Sequence, residues 1–201
     1  MIIVVGMGRS GTSMTCGVLE ACGADFGKTI GPHPENPRGF YEHRDVRDKV
    51  IKPILRRAGA DPLGQTKLPD PDQMPIEPNF RRAIESCLDG ATAMKCAKAM
   101  LLWPLFVEHF PDARYVVVRR DRQQIVESCE RTTFMKHRSN WGAWHDGNLK
   151  RLEEVKANLD AVEVWPDPTD PEVFREAVEH CGLEFDEDAV AATLIPEAWH
   201  G

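Results

Sequence analysis

The chain opens Met1-Ile2-Ile3-Val4-Val5-Gly6-Met7-Gly8-Arg9-Ser10-Gly11-Thr12-Ser13. Four apolar residues run straight into a glycine-rich turn, and a segment with helical spacing follows. That order reads as a buried strand, an anion-cradling loop and a helix. The glycines let the backbone bend tightly, so successive N–H groups can face one anion. The helix that follows adds the positive end of its dipole.

The remaining pattern repeats this alternation. Met14, Val18, Ala21 and Cys22 predict a helix from Thr12 to Cys22, with Gly23 to end it. A Gly/Pro loop over 27–39 comes next. A second helix begins near His43 and should kink or split at Pro53. The proline-rich stretch 61–79 reads as an exposed, mobile loop. A helix over 79–88, a strand over 91–96 and a helix from Trp103 follow, with Pro104 suited to a first turn. Residues 113–118 predict a strand whose apolar run from Tyr115 to Val118 is continuous, as a strand covered on both faces requires. Asp121 can cap a helix over 122–132, and a polar helix spans 140–159. The last strand is 161–165. Asp170-Pro171 then caps a helix ending at Gly182, and the acidic cluster over 184–188 reads as a solvated helix start. Strands alternating with helices predict an α/β fold, a central and mainly parallel sheet flanked by helices in three layers. At 201 residues the chain is expected to form a single domain, 1–201.

Composition narrows the function. Net charge is −7, which disfavours non-specific nucleic-acid binding, so any anion site must be a local cluster of cations. No apolar run reaches membrane-spanning length, and a strand starting at residue 2 leaves no room for a signal peptide. The six cysteines form no C-x-x-C pair and match no zinc spacing. They read as buried free thiols, and the chain as cytoplasmic.

The opening turn resembles the P-loop G-x-x-x-x-G-K-[ST], since Gly6 and Gly11 have its spacing. Thr12 stands where the lysine would be, and the cation lies inside the loop at Arg9. That variant, R-S-G-T-S over 9–13, resembles the 5′-phosphosulfate loop of the sulfotransferases, enzymes that use 3′-phosphoadenosine-5′-phosphosulfate (PAPS) as sulfuryl donor. The resemblance implies a P-loop-type domain with Gly8, Arg9, Ser10, Gly11, Thr12 and Ser13 at the donor and no required metal.

Three further stretches resemble the same family. Residues 115–128 read as a hydrophobic strand, then Arg120-Asp121, then Ser128 eight residues after the arginine. This matches the family's 3′-phosphate segment, with Arg122 replacing its usual proline. An arginine at the carboxyl end of a strand faces the ligand crevice of an open sheet and offers a fork to phosphate oxygens. Asn36-Pro37-Arg38-Gly39-Phe40-Tyr41-Glu42-His43 resembles a bacterial segment whose glutamate is the candidate base. Two aromatics beside Glu42 should desolvate it and raise its pKa. His43 is the rival base and His33 a more distant one. Alternatively, Glu42 offsets a helix dipole. Met94-Lys95-Cys96-Ala97-Lys98 resembles a strand-end K-D-P-R, which puts Lys95 near the sulfuryl group or the acceptor. Cys96 and Ala97 depart from that pattern.

The implied reaction is an in-line transfer from PAPS to an acceptor hydroxyl or amine. Arg9, Thr12 and Ser13 would stabilise the bridging oxygen, and Glu42 would take the proton. Arg9→Ala should depress turnover and Arg120→Ala should weaken donor binding. The acceptor is a small molecule or carbohydrate, with sugars, lipids, phenols and peptide tyrosines all open, as is the oligomeric state. His137, Trp141, Trp144 and His145 read as helix packing. Two alternatives stand beside this. One is a small-molecule or nucleotide kinase with a degenerate P-loop, which the missing lysine disfavours. The other is a non-catalytic nucleotide-binding module, since the chain is short and lacks the glycine-rich C-terminal segment and dimer motif of cytosolic sulfotransferases.

Overall fold

The two apolar runs of the sequence become neighbouring strands. The computed structural model describes residues 1–196. β1 (Ile2–Gly6) lies between β2 (Ala93–Lys95) and β3 (Arg114–Val118), and β4 (Ala161–Val164) pairs with the far side of β3. All pairings are parallel, with Val4 in register with both Lys95 and Val116. Every residue of β1 is buried. Alternate side chains feed two cores. Ile3, Val5, Met94 and Val117 pack into one, and Ile2, Val4, Val116 and Val162 into the other.

Helices cover both faces, as the unbroken strands require. On one side lie α1 (Thr12–Ala21), α7 (Arg175–His180) and α8 (Glu187–Thr193). On the other lie α2 (Lys52–Arg57), α3 (Phe80–Leu88), α4 (Trp103–His109), α5 (Arg122–Arg131) and α6 (Trp141–Asn158). The caps are legible: the Asp121 carboxylate accepts from Gln124 N–H, Asn140 from Ala143 N–H and Asp186 from Ala189 N–H. The six cysteines are free thiols. No helix among the described residues is long and apolar enough to cross a membrane.

Pro53 has the expected effect in an unexpected form. It has no N–H for the carbonyl four residues back. Residues Val46–Ile51 widen into a π-helical turn, in which the Lys52 N–H reaches Arg47 O, and α2 follows without a break. The helix expected from Asp170-Pro171 is two pieces, a 3₁₀ turn over Pro171–Phe174 and then α7. The 61–79 stretch, expected to be exposed and loose, is tied down. The Asp61 carboxylate accepts from the N–H groups of Leu63, Gln65 and Thr66, and Trp144 Nε1 donates to Gly64 O at 2.7 Å.

From β1 the chain crosses to β2 on one side and then to β3 on the other. The carboxyl ends of β1 and β3 therefore flank the switch point where open α/β sheets bind ligands. Gly6 ends β1 there with no room to spare. A Cβ would lie 2.7 Å from Thr12 Cγ2 and 2.8 Å from Val118 O. Gly6→Ala is expected to cost about 2 kcal/mol, a fall in Tm on the order of 6 °C by calorimetry. An unchanged Tm would show that the turn can slide off β3.

Candidate functional site

The turn after β1 holds two residues in the left-handed region, Arg9 at φ 72° and Gly11 at φ 96°. Arginine there is strained, and the twist lifts its carbonyl and side chain toward β3. Ser10 is buried, and its hydroxyl donates to Met7 O at 2.8 Å, so it locks the turn rather than facing outward. α1 begins with no side-chain cap. Its first hydrogen bond runs from Thr15 N–H to Gly11 O, which leaves the preceding N–H groups without intrahelical partners.

Two basic side chains converge on this turn. Arg120, at the end of β3, donates from Nη1 to Arg9 O at 3.1 Å and from Nε to Gln124 Oε1 at 3.0 Å. Arg9 Nε in turn donates to Ser128 Oγ at 2.9 Å across 119 positions of sequence. Burial, and then the neighbouring Arg9 and Arg131, hold the Arg120 guanidinium down at about 10. Burial likewise lowers the Arg9 pKa. Cations kept among cations and away from water favour an anion placed between them.

The turn opens onto a cleft of about 870 Å³ lined by Arg9, Thr12, Ser13 and Arg120 at one end and by Glu42, Lys95 and Lys98 further along. That size suits a nucleotide-sized ligand together with a second reactant. Residues 30–42 strap one side. Phe40 N–H donates to Ile30 O, and Ile30 N–H to Glu42 O. Asn36 Nδ2 donates to Ser13 Oγ at 3.0 Å and to Gly39 O at 2.6 Å, tying strap to turn. Glu35 accepts from Thr133 N–H at 2.8 Å, and the Phe134 ring meets those of His33 and Phe40 in T-shaped contacts.

The Glu42 backbone pairs with that of Lys95, at the end of β2, as an isolated parallel bridge. Lys95 is buried and donates from Nζ to Phe40 O at 2.8 Å. The expected rise in the Glu42 pKa does not occur. Burial pushes its carboxyl up, but Lys98, Lys95, Arg47 and the Ala97 N–H together outweigh it and hold the group below its ordinary range. Arg47 Nη1 stands 3.9 Å from Glu42 Oε2.

The comparisons with known proteins bear on this geometry. A family model described as a sulfotransferase domain matches residues 1–180. The chain belongs to the sulfotransferase-domain family. The crystal structure of a sulfotransferase from Mycobacterium tuberculosis is similar at a TM-score of 0.49 and 14% identity, over 96% of this chain and 70% of that one. A search of curated protein sequences returns no match.

Within this sulfotransferase domain the sequence-derived residues divide. Gly8, Arg9, Gly11, Thr12, Ser13, Glu42, Lys95 and Arg120 line one cleft. Ser10 and Ser128 stand behind it, Ser128 under Arg9. His43, the rival base, is not among the lining residues. It is buried on the far side of the strap and bonded to the Ala93 backbone, with its pKa lowered by burial. An adjacent position on an extended strap sends its side chain the opposite way from Glu42. Trp141 and His145 pack in the interior, as read, while Trp144 packs and also lines the cleft. Sequence reasoning missed Arg38, Arg47 and Lys52 as lining residues. Arg38 lay inside a stretch already singled out; Arg47 and Lys52 gave only the polar side of a helix.

Proposed function

We propose that the protein is a PAPS-dependent sulfotransferase, a single domain acting in the cytoplasm on an acceptor hydroxyl or amine of a small molecule or carbohydrate, with neither nucleic acid nor membrane as partner. The observation that carries this is the chain of contacts from Arg120 to Arg9 O and from Arg9 Nε to Ser128 Oγ. Two segments assigned separately to two phosphates of one donor are thereby brought side by side. The six free thiols support a reducing compartment.

The residues fit the donor. The uncapped start of α1, with Gly8, Gly11, Thr12 and Ser13, would hold the 5′-phosphosulfate, and Arg120 with Ser128 the 3′-phosphate. Arg9 touches Ser128, so it serves both ends rather than the sulfuryl end alone. The donor supplies an activated sulfuryl group whose S–O bond to the 5′-phosphate breaks as the acceptor oxygen forms its own bond to sulfur. Glu42 takes the acceptor proton. Lys95, fixed by Phe40 O, and Arg9 offset the charge left on the departing oxygen. The sulfuryl group bears less charge than a phosphoryl group, so the reading assigns no metal to the transfer.

Isothermal titration tests the donor directly. Adenosine 3′,5′-bisphosphate (PAP) should bind, and ATP with magnesium should bind at least tenfold more weakly. The reverse order would favour the kinase reading. PAP binding without transfer from PAPS to any acceptor would favour a non-catalytic module.

The strap makes its own prediction. Asn36→Ala removes the tie to Ser13 and one to Gly39 O. It is expected to weaken PAP binding by up to about 30-fold, from roughly 1 kcal/mol for each of the two lost hydrogen bonds. Full retention of affinity, with unchanged circular dichroism, would show that the strap plays no part in shaping the turn.

A further inference from the structure

The cleft is cationic in a chain of net charge −7, with Glu35 and Glu42 as its lining carboxylates among the described residues. Part of that charge belongs to the donor end, at Arg9 and Arg120. Arg38 and Lys95 add to it, and a further group lies around Glu42, at Arg47, Lys52 and Lys98. Their balancing acid is Asp48, which stands behind them and does not line the cleft. It accepts a fork from Arg47, both bonds at 2.9 Å, and pairs with Lys52 at 2.8 Å. With Glu42, two carboxylates thus face four cations, Arg47, Lys52, Lys95 and Lys98. Asp48 is held far below the usual carboxylate range, chiefly by Arg47, so it stays ionised at any working pH. Lys98 makes no ion pair among the described residues and acts on Glu42 only at longer range.

Apolar residues line the cleft as well: Met100, Leu101 and Leu63, with Trp144, whose one polar side-chain atom is already spent on Gly64 O. A neutral polyol needs acceptors for its hydroxyl protons. This end supplies the Gln65 amide and a Glu42 carboxylate already surrounded by cations. A flat apolar body with an anionic group matches this lining: the body against the exposed Leu63 and the edge of Trp144, and the anion at Lys52 and Lys98.

We infer that the acceptor is a hydroxylated compound bearing a carboxylate, sulfate or phosphate on an otherwise apolar body. The inference rests on the reading of the site as a PAPS-dependent sulfotransferase, and names the chemical class of its second substrate.

Matched pairs differing only in charge test it. With the protein saturated in PAP, titrate para-hydroxyphenylacetate against its primary amide, a hydroxylated bile acid against its amide, and a steroid sulfate bearing a free hydroxyl against its neutral parent. The anion of at least one pair is expected to bind about tenfold more tightly or better. In the double variant Lys52→Ala/Lys98→Ala that preference should shrink to about twofold, while the PAP isotherm stays as in the wild type and reports an intact fold. If the alanine variant fails to fold, Lys52→Gln/Lys98→Gln serves the same purpose. No preference for the anion in any pair, including no binding by any member, overturns the inference. So does a preference that survives in the double variant. Loss of the PAP isotherm in the wild-type protein would instead sink the donor reading, whichever acid binds.

Discussion

Arg120→Ala is expected to weaken PAP binding by on the order of 100-fold, as read by isothermal titration. The side chain is buried at the end of β3, donates to Arg9 O and Gln124, and stands beside two further cations, Arg9 and Arg131. A charge-assisted bond to an anion in such a place is worth about 2–3 kcal/mol, and each 1.4 kcal/mol is tenfold. Lysine at this position should recover only part of the loss, because it cannot offer a planar fork. The wild-type protein should gain roughly 2.7 kcal/mol of stability at a PAP concentration one hundred times Kd, and the variant little at the same concentration. Arg9→Ala should lower both affinity and turnover, because the Arg9 side chain joins the turn to Ser128. An Arg120→Ala protein that binds PAP normally yet turns over no PAPS would invert the roles given to the two arginines.

The second large effect lies at the proton. Glu42→Gln keeps the shape of the side chain and removes its basicity. It is expected to lower kcat by about 1,000-fold while PAP affinity stays within about twofold. The pH profile separates Glu42 from a histidine. Cations hold the Glu42 carboxyl below its ordinary value, so the base form prevails throughout the neutral range, and kcat/KM should show no limb from this group there. Its acid limb should fall below the usual glutamate pKa. A limb near pH 6 would point to an imidazole instead. The same sign governs stability. A carboxylate whose folded pKa is depressed stabilises the fold above its unfolded pKa, and that contribution is lost as pH falls through the folded value.

The parts of this molecule legible in its sequence were those set by local chemistry. The unbroken apolar runs at Ile2–Val5 and Tyr115–Val118 became the two central strands, because nothing polar interrupts either face. Asp121 capped its helix because the carboxylate needs only the N–H three residues on. The glycine turn and the position of Arg120 followed from the same short-range logic. Three features were not legible. His43 sits next to Glu42 in sequence yet faces the other way, which depends on how the strap crosses β2. The pKa of Glu42 moved opposite to expectation because Lys98 and Lys95 come from a distant segment beside β2, and their pull, with that of Arg47, exceeds the burial that its aromatic neighbours announce. Arg9 meets Ser128 only because β1 and β3 are parallel neighbours. Pairing across the sheet decided each of these, and no window of local sequence contains it.

The wide turn over Val46–Ile51 has one residue more than an ordinary helix would hold in the same space. Losing one codon in that stretch would restore the regular ladder and swing the preceding residues about the axis by about 100°, the angle one residue occupies. Arg47 would leave the cleft in that single step, while α2 and the glycine turn stayed where they are. On the reading proposed above, one such deletion would rearrange the charges around Glu42 while leaving the sequence of the glycine turn untouched.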